Sequence, residues 1–268
     1  MKDHIKDIID KKLFPDDNKN RIREYLQKYL LYVLYKKKIY KNLVFCGGTA
    51  LRILYKTGRF SEDMDFSLSA GAKGYDFEKL LKIIKDELLS AGYKPEIKYN
   101  GTGNVHNAFV KFPDLLFEYD ITAHRDEKLA VKIEIDINPP AGGREEVTLY
   151  NSVYMFYMLH YDLPSLFAGK VHALLCRKYT KGRDWYDLLW YLTNFKGLEP
   201  NVTMLNNALR QTSKELPGFA GNEWKDKLKE VIGRLDINKV RDDVGRFLEN
   251  RDEMKILSKE NLYKLLNI

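Results

Sequence analysis

Residues 43–69 change their hydrophobic pattern twice, and this change constrains the fold more than any other feature of the chain. The apolar run from Leu43 to Cys46 stops at two glycines, and apolar residues then recur at helical spacing as far as Gly58. From Phe60 to Ser69 apolar residues alternate with polar ones, as on a strand with one buried face. The segment therefore predicts a strand, a tight turn, a helix and a second strand in a mixed α/β core.

The polar residues of this segment have the types and spacing of a phosphate and metal site. Gly47, Gly48 and Thr49 stand at the turn, and Asp63 and Asp65 follow after thirteen further residues. Glycines let the backbone approach phosphate oxygens, and the next helix begins with free N–H groups. Two aspartates at i and i+2 on a strand share a face, and Mg²⁺ prefers carboxylate and phosphate oxygens. Either motif alone is common by chance, but together they favour Mg²⁺ held against a triphosphate.

A third carboxylate on a neighbouring strand would complete a two-metal site. Residues 130–137 alternate strictly, with isoleucines on one face and Glu134 and Asp136 on the other. We favour Asp136 as the third ligand because it lies nearer the C-terminal end of the strand. A solvated sheet face would explain both acids equally well.

A second charged block lies between residues 169 and 187. Lys170 and Arg177 are two helical turns apart and share a face, and Lys181 continues the basic series. Bases that face a phosphate neutralise the charge that develops during phosphoryl transfer, so all three are candidate nucleotide ligands. Asp184 and Asp187 follow at helical spacing. The alternative is a helix hairpin joined by ordinary ion pairs.

The remaining elements follow from periodicity. Helices are predicted over 1–42 with a break at Pro15, and over 77–89; strands are predicted over 96–99, 105–112, 115–121 and 130–137. Pro139-Pro140 and Gly142-Gly143 are expected to end the sheet. Later helices are predicted over 164–178, 184–195, 202–214, 224–235, 240–248 and 258–266. We expect a core with N-terminal helices over 1–150 and a helical part that completes the active site over 151–268.

Composition excludes several classes of protein. Two cysteines in 268 residues cannot form a disulfide framework, so a reducing cytoplasm is the expected location. No apolar stretch approaches the ~20 residues that span a bilayer, so no membrane partner is expected. The formal net charge of +7 permits a polyanionic partner and leans mildly toward RNA.

Two blocks of this sequence resemble a known family. The first runs from Phe45 to Leu68, FCGGTALRILYKTGRFSEDMDFSL, and the second from Gly169 to Leu192, GKVHALLCRKYTKGRDWYDLLWYL. Both resemble the signature blocks of the AbiEii/AbiGii toxin family of nucleotidyltransferases, which includes the MenT toxins. The resemblance implies an α+β, DNA polymerase β-like fold with a mixed-sheet core, N-terminal helices and a helical C-terminal half.

The same resemblance implies transfer of a nucleotide from an NTP with Mg²⁺, or with Mn²⁺ as the alternative ion. Carried over by position, Gly48 and Thr49 would hold phosphate, and Asp63 and Asp65 would hold metal and act in catalysis. Lys170 would contact the triphosphate, and Asp184 would be the catalytic acid of the second block, with the role of Asp187 open.

Three hypotheses remain at this stage. The first is a toxin of a toxin–antitoxin or phage-defence system that modifies RNA, in particular tRNA, and has an antitoxin protein encoded nearby. The second is a transferase acting on a small molecule or a protein hydroxyl. The third is a non-catalytic binding protein on the same fold, against which the intact Asp63, Asp65 and Lys170 count.

Overall fold

The structure, a computed structural model, describes residues 3–212 and 218–267, and its contacts divide the chain into two compact units. The first unit comprises Met1–Lys56, Phe60–Asn138 and Glu146–His160. The second comprises Thr57–Arg59, Pro139–Glu145 and Tyr161–Ile268. The domain boundary expected near residue 150 falls within a strand, Glu145–Asn151, and stays a prediction.

The first unit combines helices with a mixed sheet. Its helices are α1 (Asp3–Ile8), α2 (Pro15–Lys36), α3 (Gly47–Tyr55), α4 (Phe77–Ser90) and α5 (Leu115–Glu118), with a 3₁₀ helix at Ile39–Asn42. The strands are β1 (Leu43–Cys46), β2 (Asp63–Leu68), β3 (Glu96–Asn100), β4 (Val105–Phe112), β5 (Leu129–Asp136), β6 (Glu145–Asn151) and β7 (Met155–Tyr161).

The seven strands form one sheet in the order β3-β4-β5-β2-β1-β7-β6. Strands β3, β4 and β5 pair antiparallel, β5 pairs parallel with β2, β2 pairs antiparallel with β1, and β1 pairs parallel with β7. The crossover that brings β5 next to β2 places two distant stretches of sequence side by side at the centre of the sheet.

Strand β5 is buried on one face only. On β5, Val131, Ile133 and Ile135 are buried, whereas the alternate residues of this strand are half-buried. Helix α2 contacts β5 and buries its own apolar stripe. Each fully buried aliphatic side chain contributes about 1.5–3 kcal/mol, so period-two burial fixes which face of β5 lies inward.

The second unit is helical. Its helices are α6 (Leu163–Cys176), α7 (Gly182–Asn194), α8 (Val202–Thr212), α9 (Glu223–Gly233), α10 (Ile237–Gly245) and α11 (Lys259–Leu266), with a 3₁₀ helix at Arg251–Lys255. Its core centres on aromatic rings, because Phe167 stacks on Tyr191 at a centroid distance of 4.5 Å and packs edge-on against Trp224. Residues 213–214 of the predicted helix 202–214 lie outside the described residues.

Two predictions of local structure were wrong. Residues 115–121 form no strand in the described chain, because α5 begins there after Asp114 takes a left-handed conformation. A short apolar run with two adjacent buried leucines fits a helix turn as well as a strand. The sheet also continues beyond Gly143 into β6 and β7. The prediction missed β7 because Met155 and Tyr157 on its exposed face are apolar, so its sequence does not alternate between apolar and polar residues.

The predicted architecture is otherwise confirmed as a mixed-sheet core with N-terminal helices and a helical C-terminal half. In the part of the chain that the structure describes, no helix combines the length and apolarity needed to cross a membrane.

Candidate functional site

The turn between β1 and α3 brings the glycines against one of the predicted aspartates. Gly47 has φ +73°, a conformation that glycine adopts without strain. A Cβ atom on Gly47 would lie 2.1 Å from Oδ2 of Asp65, so the carboxylate occupies the space that a larger residue would fill. Among the described residues, Cys46 stands at the N-cap position without a side-chain hydrogen bond to α3. The first N–H groups of α3 therefore lie close to a carboxylate.

Thr49 joins this turn to the strand that carries the aspartates. Its side chain is fully buried, and its hydroxyl donates a hydrogen bond to the backbone carbonyl of Asp63. This bond fixes the start of β2 relative to α3. The predicted contact of Thr49 and Gly48 with a nucleotide phosphate stays a prediction.

The pairing of β2 with β5 assembles a row of charged side chains. Asp63 is paired with Lys132 and Asp65 with Glu134, and paired residues of neighbouring strands share a face. All four side chains are half-buried, and we call this set the open face. Asp136, favoured above as the third carboxylate, is paired with Ser67, so Glu134 is the acid directly beside Asp65. The role of Asp136 as a metal ligand stays a prediction.

The electrostatics of the open face are those of a cation site. Burial opposes the charge of Lys132, but its ion pair with Glu134 (2.7 Å) and the fields of Asp63 and Asp65 raise its pKa above the ordinary value. Burial raises the pKa of the Cys46 thiol, and the charge of Asp65 adds to that shift. Burial also raises the pKa of Asp136.

The donor set fits Mg²⁺ bound together with a substrate. Among the described residues, no group of three or more His, Cys, Asp or Glu side chains is arranged as a metal site. Mg²⁺ is commonly held by one or two carboxylates plus substrate phosphates and water, so it does not need a third protein ligand. Asp63 and Asp65 supply two carboxylates on one strand face, in a field that already favours a cation.

The second predicted block forms a buried network between α6 and α7. The ammonium of Lys170 donates to Asp184 at 2.7 Å and contacts Asp187 at 2.7 Å. Arg177 donates to the other oxygen of Asp184 at 2.6 Å. Arg59 completes the network with hydrogen bonds of 2.6 and 2.5 Å to the two oxygens of Asp187. We call these five residues the charge cluster.

Three cations surround two carboxylates in the charge cluster, and this arrangement fixes their ionisation. Burial opposes the charge of Lys170, but Asp184 and Asp187 outweigh it and raise the pKa of the ammonium. Burial likewise opposes the charge of Asp184, yet Lys170 and Arg177 hold its pKa below the ordinary value. Asp187 is fully buried. The two carboxylates of the cluster therefore lie among three cations within the second unit.

The sequence did not point to Arg59. It lies between the glycines and the aspartates of the first block, yet it belongs to the second unit. Its guanidinium is buried, and Asp187 raises its pKa against the effect of burial. The sequence signal that could have indicated Arg59 is its position between Gly58 and Phe60, since an arginine among such neighbours tends to be buried. A buried cation needs a carboxylate partner.

A cleft of about 180 Å³ opens beside the charge cluster within the second unit. Its charged lining consists of Arg177, Lys178, Lys181, Asp184 and Arg234. Lys181 stands at the N-cap of α7, and the N–H of the next residue, Gly182, donates to Asp243 at 2.7 Å. Two of the predicted nucleotide ligands, Arg177 and Lys181, therefore line one basic cleft, whereas Lys170 is enclosed by acids.

The predicted residues thus fall into two groups, one in each unit. Gly47, Gly48, Thr49, Asp63 and Asp65 come together in the first unit, with Asp136 two residue pairs beyond Asp65 along the strands. Lys170, Arg177, Lys181 and Asp184 come together in the second.

Comparison with known proteins identifies the family to which this chain belongs. Residues 29–260 match the profile of a family described as nucleotidyl transferase AbiEii toxin, type IV toxin–antitoxin system. A search of curated proteins returns no match.

Three solved structures align with this chain at low sequence identity. A candidate nucleotidyltransferase from H. pylori aligns with a TM-score of 0.55 and 19% identity, covering 91% of this chain and 92% of that one. JHP933 from Helicobacter pylori aligns with a TM-score of 0.53 and 19% identity over 92% and 90% of the two chains. MenT4, a nucleotidyltransferase toxin from Mycobacterium tuberculosis H37Rv, gives a TM-score of 0.49 and 17% identity over 93% and 94%. The two Helicobacter structures share the fold of this chain.

Proposed function

This chain belongs to the AbiEii family of nucleotidyltransferase toxins, and we propose that it transfers a nucleotide from an NTP to an RNA hydroxyl in a Mg²⁺-dependent reaction. Membership of the family implies nucleotidyltransferase activity, an NTP substrate and an antitoxin partner. The proposal adds the metal and the class of acceptor, with tRNA as the first acceptor to test.

One observation carries the proposal, namely the placement of Asp63 and Asp65 on the open face with Gly47 against Asp65. Two carboxylates beside the N-terminus of a helix offer separate sites for a metal ion and for phosphate oxygens. When bound, Mg²⁺ would withdraw charge from the phosphates. The net charge of +7 supports a polyanionic acceptor over a small neutral one.

The proposed reaction is an in-line displacement at the α-phosphorus. The acceptor hydroxyl oxygen forms a bond to that phosphorus, the bond to the bridging oxygen of the β-phosphate breaks, and pyrophosphate leaves. The hydroxyl proton passes to water or to a carboxylate of the open face. The N–H groups at the start of α3 orient the phosphates, and Thr49 keeps β2 at its place beside them.

We assign most of the charge cluster a structural role. Lys170, Asp184, Asp187 and Arg59 hold α6, α7 and the Thr57–Arg59 segment together. Arg177 and Lys181, which line the basic cleft, are the proposed phosphate ligands of the second unit. A direct catalytic role for Lys170 and Asp184 stays a prediction from the family resemblance.

The test is incubation of the purified protein with each labelled NTP in turn, with Mg²⁺ and total tRNA. Label in the tRNA fraction, lost with EDTA and absent with Asp65→Asn, is the expected result. Label in protein or in small molecules, with none in RNA, would move the acceptor to the second hypothesis. Expression of the wild type should slow growth of a host that tolerates Asp65→Asn, and equal growth would count against RNA as the target.

A further inference from the structure

An exposed aromatic ring stands on the same sheet face as the catalytic aspartates. Phe109, in the middle of β4, is 39% exposed, while Ala108 and Val110 on either side of it are buried. Its paired neighbours are Lys98 on β3 and Lys132 on β5. Phe109 therefore places a part-exposed aromatic ring between two lysines of the neighbouring strands.

Lysines surround this ring. Lys111 lies two residues further along β4 and therefore on the same face, and Lys98 and Lys132 flank Phe109 across the two neighbouring strands. The ammonium of Lys132 lies 5.6 Å from the ring centroid. We call Phe109 with Lys98, Lys111 and Lys132 the lysine-ringed platform.

Two of these lysines are available for a ligand. In the part of the chain that the structure describes, Lys98 and Lys111 form no ion pair. Glu96, which is paired with Lys111 across the strands, is bound by Lys128 at 2.7 Å. An aromatic ring among uncompensated cations combines a stacking surface with phosphate ligands, which is how proteins bind single-stranded nucleic acid.

The platform is continuous with the open face. The strand pairing aligns Phe109 with Lys132 and Lys132 with Asp63, so the three residues are consecutive across β4, β5 and β2. With strands about 4.8 Å apart, the Cα atoms of Phe109 and Asp63 are separated by roughly 10 Å. One or two nucleotides of a single strand can bridge that distance.

We propose that the lysine-ringed platform binds the single-stranded end of the acceptor RNA, with Phe109 stacked on a base and Lys98 and Lys111 on phosphates. The inference rests on the proposed function and names the form of RNA that the enzyme accepts. Lys98 and Lys111 each call for a phosphate, and a polynucleotide supplies one per nucleotide. The phosphates of an NTP are proposed to lie at the glycine turn instead, so an NTP would leave both lysines without a ligand.

Binding of a fluorescein-labelled single-stranded RNA oligonucleotide, followed by anisotropy in EDTA and without NTP, tests the platform separately from catalysis. Phe109→Ala should weaken binding roughly tenfold, since stacking on one base is worth ~1–3 kcal/mol. Phe109→Tyr should bind as the wild type does. The matched control is Phe117→Ala, because Phe117 is 43% exposed and also lies beside a cation, Arg125, yet sits on α5.

The lysines have their own measurement. Lys98→Ala with Lys111→Ala should lower the dependence of log Kd on log salt by about 1.4, at ~0.7 per phosphate contact on a single strand. The control is Lys82→Ala with Lys85→Ala on α4, which should leave the slope unchanged. In turnover, Phe109→Ala should raise KM for RNA and leave KM for the NTP and kcat at saturating RNA unchanged.

Unchanged RNA binding by Phe109→Ala, a loss no greater than that of Phe117→Ala, or no RNA binding by the wild type would each overturn the platform. A raised KM for the NTP would also overturn it, because Phe109 would then stack the base of the donor nucleotide. Failure of the proposed function looks different, since nucleotide transfer would then occur equally well without RNA.

Discussion

The open face and the charge cluster both consist of carboxylates and cations, but they differ in burial and in the balance of charge. On the open face, Asp63 and Asp65 are half-buried and lie in the field of Lys132, which forms an ion pair with Glu134. In the charge cluster, Asp184 and Asp187 are buried and surrounded by Lys170, Arg177 and Arg59. The open face thus combines three half-buried carboxylates with one lysine, whereas the charge cluster combines two buried carboxylates with three cations.

This difference teaches how to separate residues that act on a ligand from residues that maintain the fold. Half-buried carboxylates on a sheet face can take up a metal ion together with substrate phosphates and water. A carboxylate whose two oxygens are both occupied by buried cations must lose those contacts before it can bind anything else. We therefore expect changes on the open face to affect activity. Changes at Asp184, Asp187 and Arg59, which are buried members of the charge cluster, should affect stability first.

The largest effect is expected from Asp65→Asn. Loss of one carboxylate should reduce transfer on the order of 10³-fold, because electrostatic stabilisation of the phosphates depends on it. Thermal unfolding should stay near that of the wild type, since the side chain is half-buried and its replacement has the same shape. Initial rates and a melting curve measure the two effects, and retained turnover in both Asp65→Asn and Asp63→Asn would refute the site.

Asp187→Asn should lower the free energy of unfolding by about 3–5 kcal/mol. The change removes the carboxylate charge beside Arg59 and one of the two carboxylates beside Lys170, and so leaves the Arg59 charge buried without that of Asp187. Urea denaturation measures the loss. Asp252→Asn is the control, because its ion pair with Lys255 lies at the surface of the same unit and should contribute nothing measurable. Equal stability of the two variants would show that the charge cluster does not hold the fold.

Lys170→Met sharpens the comparison, because the family resemblance assigns Lys170 to the triphosphate. A role on the triphosphate predicts a rise in KM for NTP of at least about 10²-fold at a temperature where the variant is fully folded. Lys170→Arg should restore only part of the activity, since a planar guanidinium replaces a point charge. A normal KM with a lowered melting temperature would instead assign Lys170, and with it Asp184, to structure alone.

Gly47→Ala should reduce activity about 10²-fold through displacement of a neighbour. The new Cβ would collide with the Asp65 carboxylate, and a shift of about 1 Å in a catalytic group has an effect of that size. Gly74→Ala is the control, because Gly74 also has positive φ but has no heavy atom within 4 Å of a Cβ in the described chain. Both variants should lose ~1–3 kcal/mol of stability from backbone strain, so only the activity distinguishes them.

The smallest effect is a pH dependence of stability. Because the folded state lowers the pKa of Asp184, its charge stabilises the fold above its unfolded pKa of about 3.9 and loses that contribution as pH falls through the lower folded value. The stability difference between wild type and Asp184→Asn should therefore be constant above pH ~5 and shrink below pH ~4. A difference that grows on acidification would contradict the ion-pair assignment.

Local pattern predicted most of the fold. Proline and glycine boundaries and apolar periodicity located α2, α3, α4 and the helices of the second unit, and alternation located β2, β4 and β5. Strand β7 was not predicted because Met155 and Tyr157 on its exposed face are apolar, so apolar and polar residues do not alternate in its sequence. The sheet order was also beyond reach, because the pairing of β2 with β5 depends on contacts between residues about seventy positions apart.

The sequence predicted which kinds of residue form the candidate site, but not which of them are neighbours in the structure. The spacing of Asp63 and Asp65 placed them on one face, and the helical spacing around Lys170 placed it near Arg177. Which acid lies beside Asp65 depends on strand register, which assigns Glu134 to that position. Arg59 was missed because its partner, Asp187, is 128 residues away in sequence.

The discontinuity of the second unit has a consequence for molecular dissection of this toxin. Three residues from the first hundred, Thr57–Arg59, belong to a unit that otherwise begins at Pro139. No single cut in the polypeptide yields a C-terminal fragment that retains Arg59 and omits the first unit's sheet. A fragment starting at Tyr161 would carry Asp187 without the guanidinium of Arg59, so we expect the C-terminal helices expressed alone to be less stable than the same helices in the full chain.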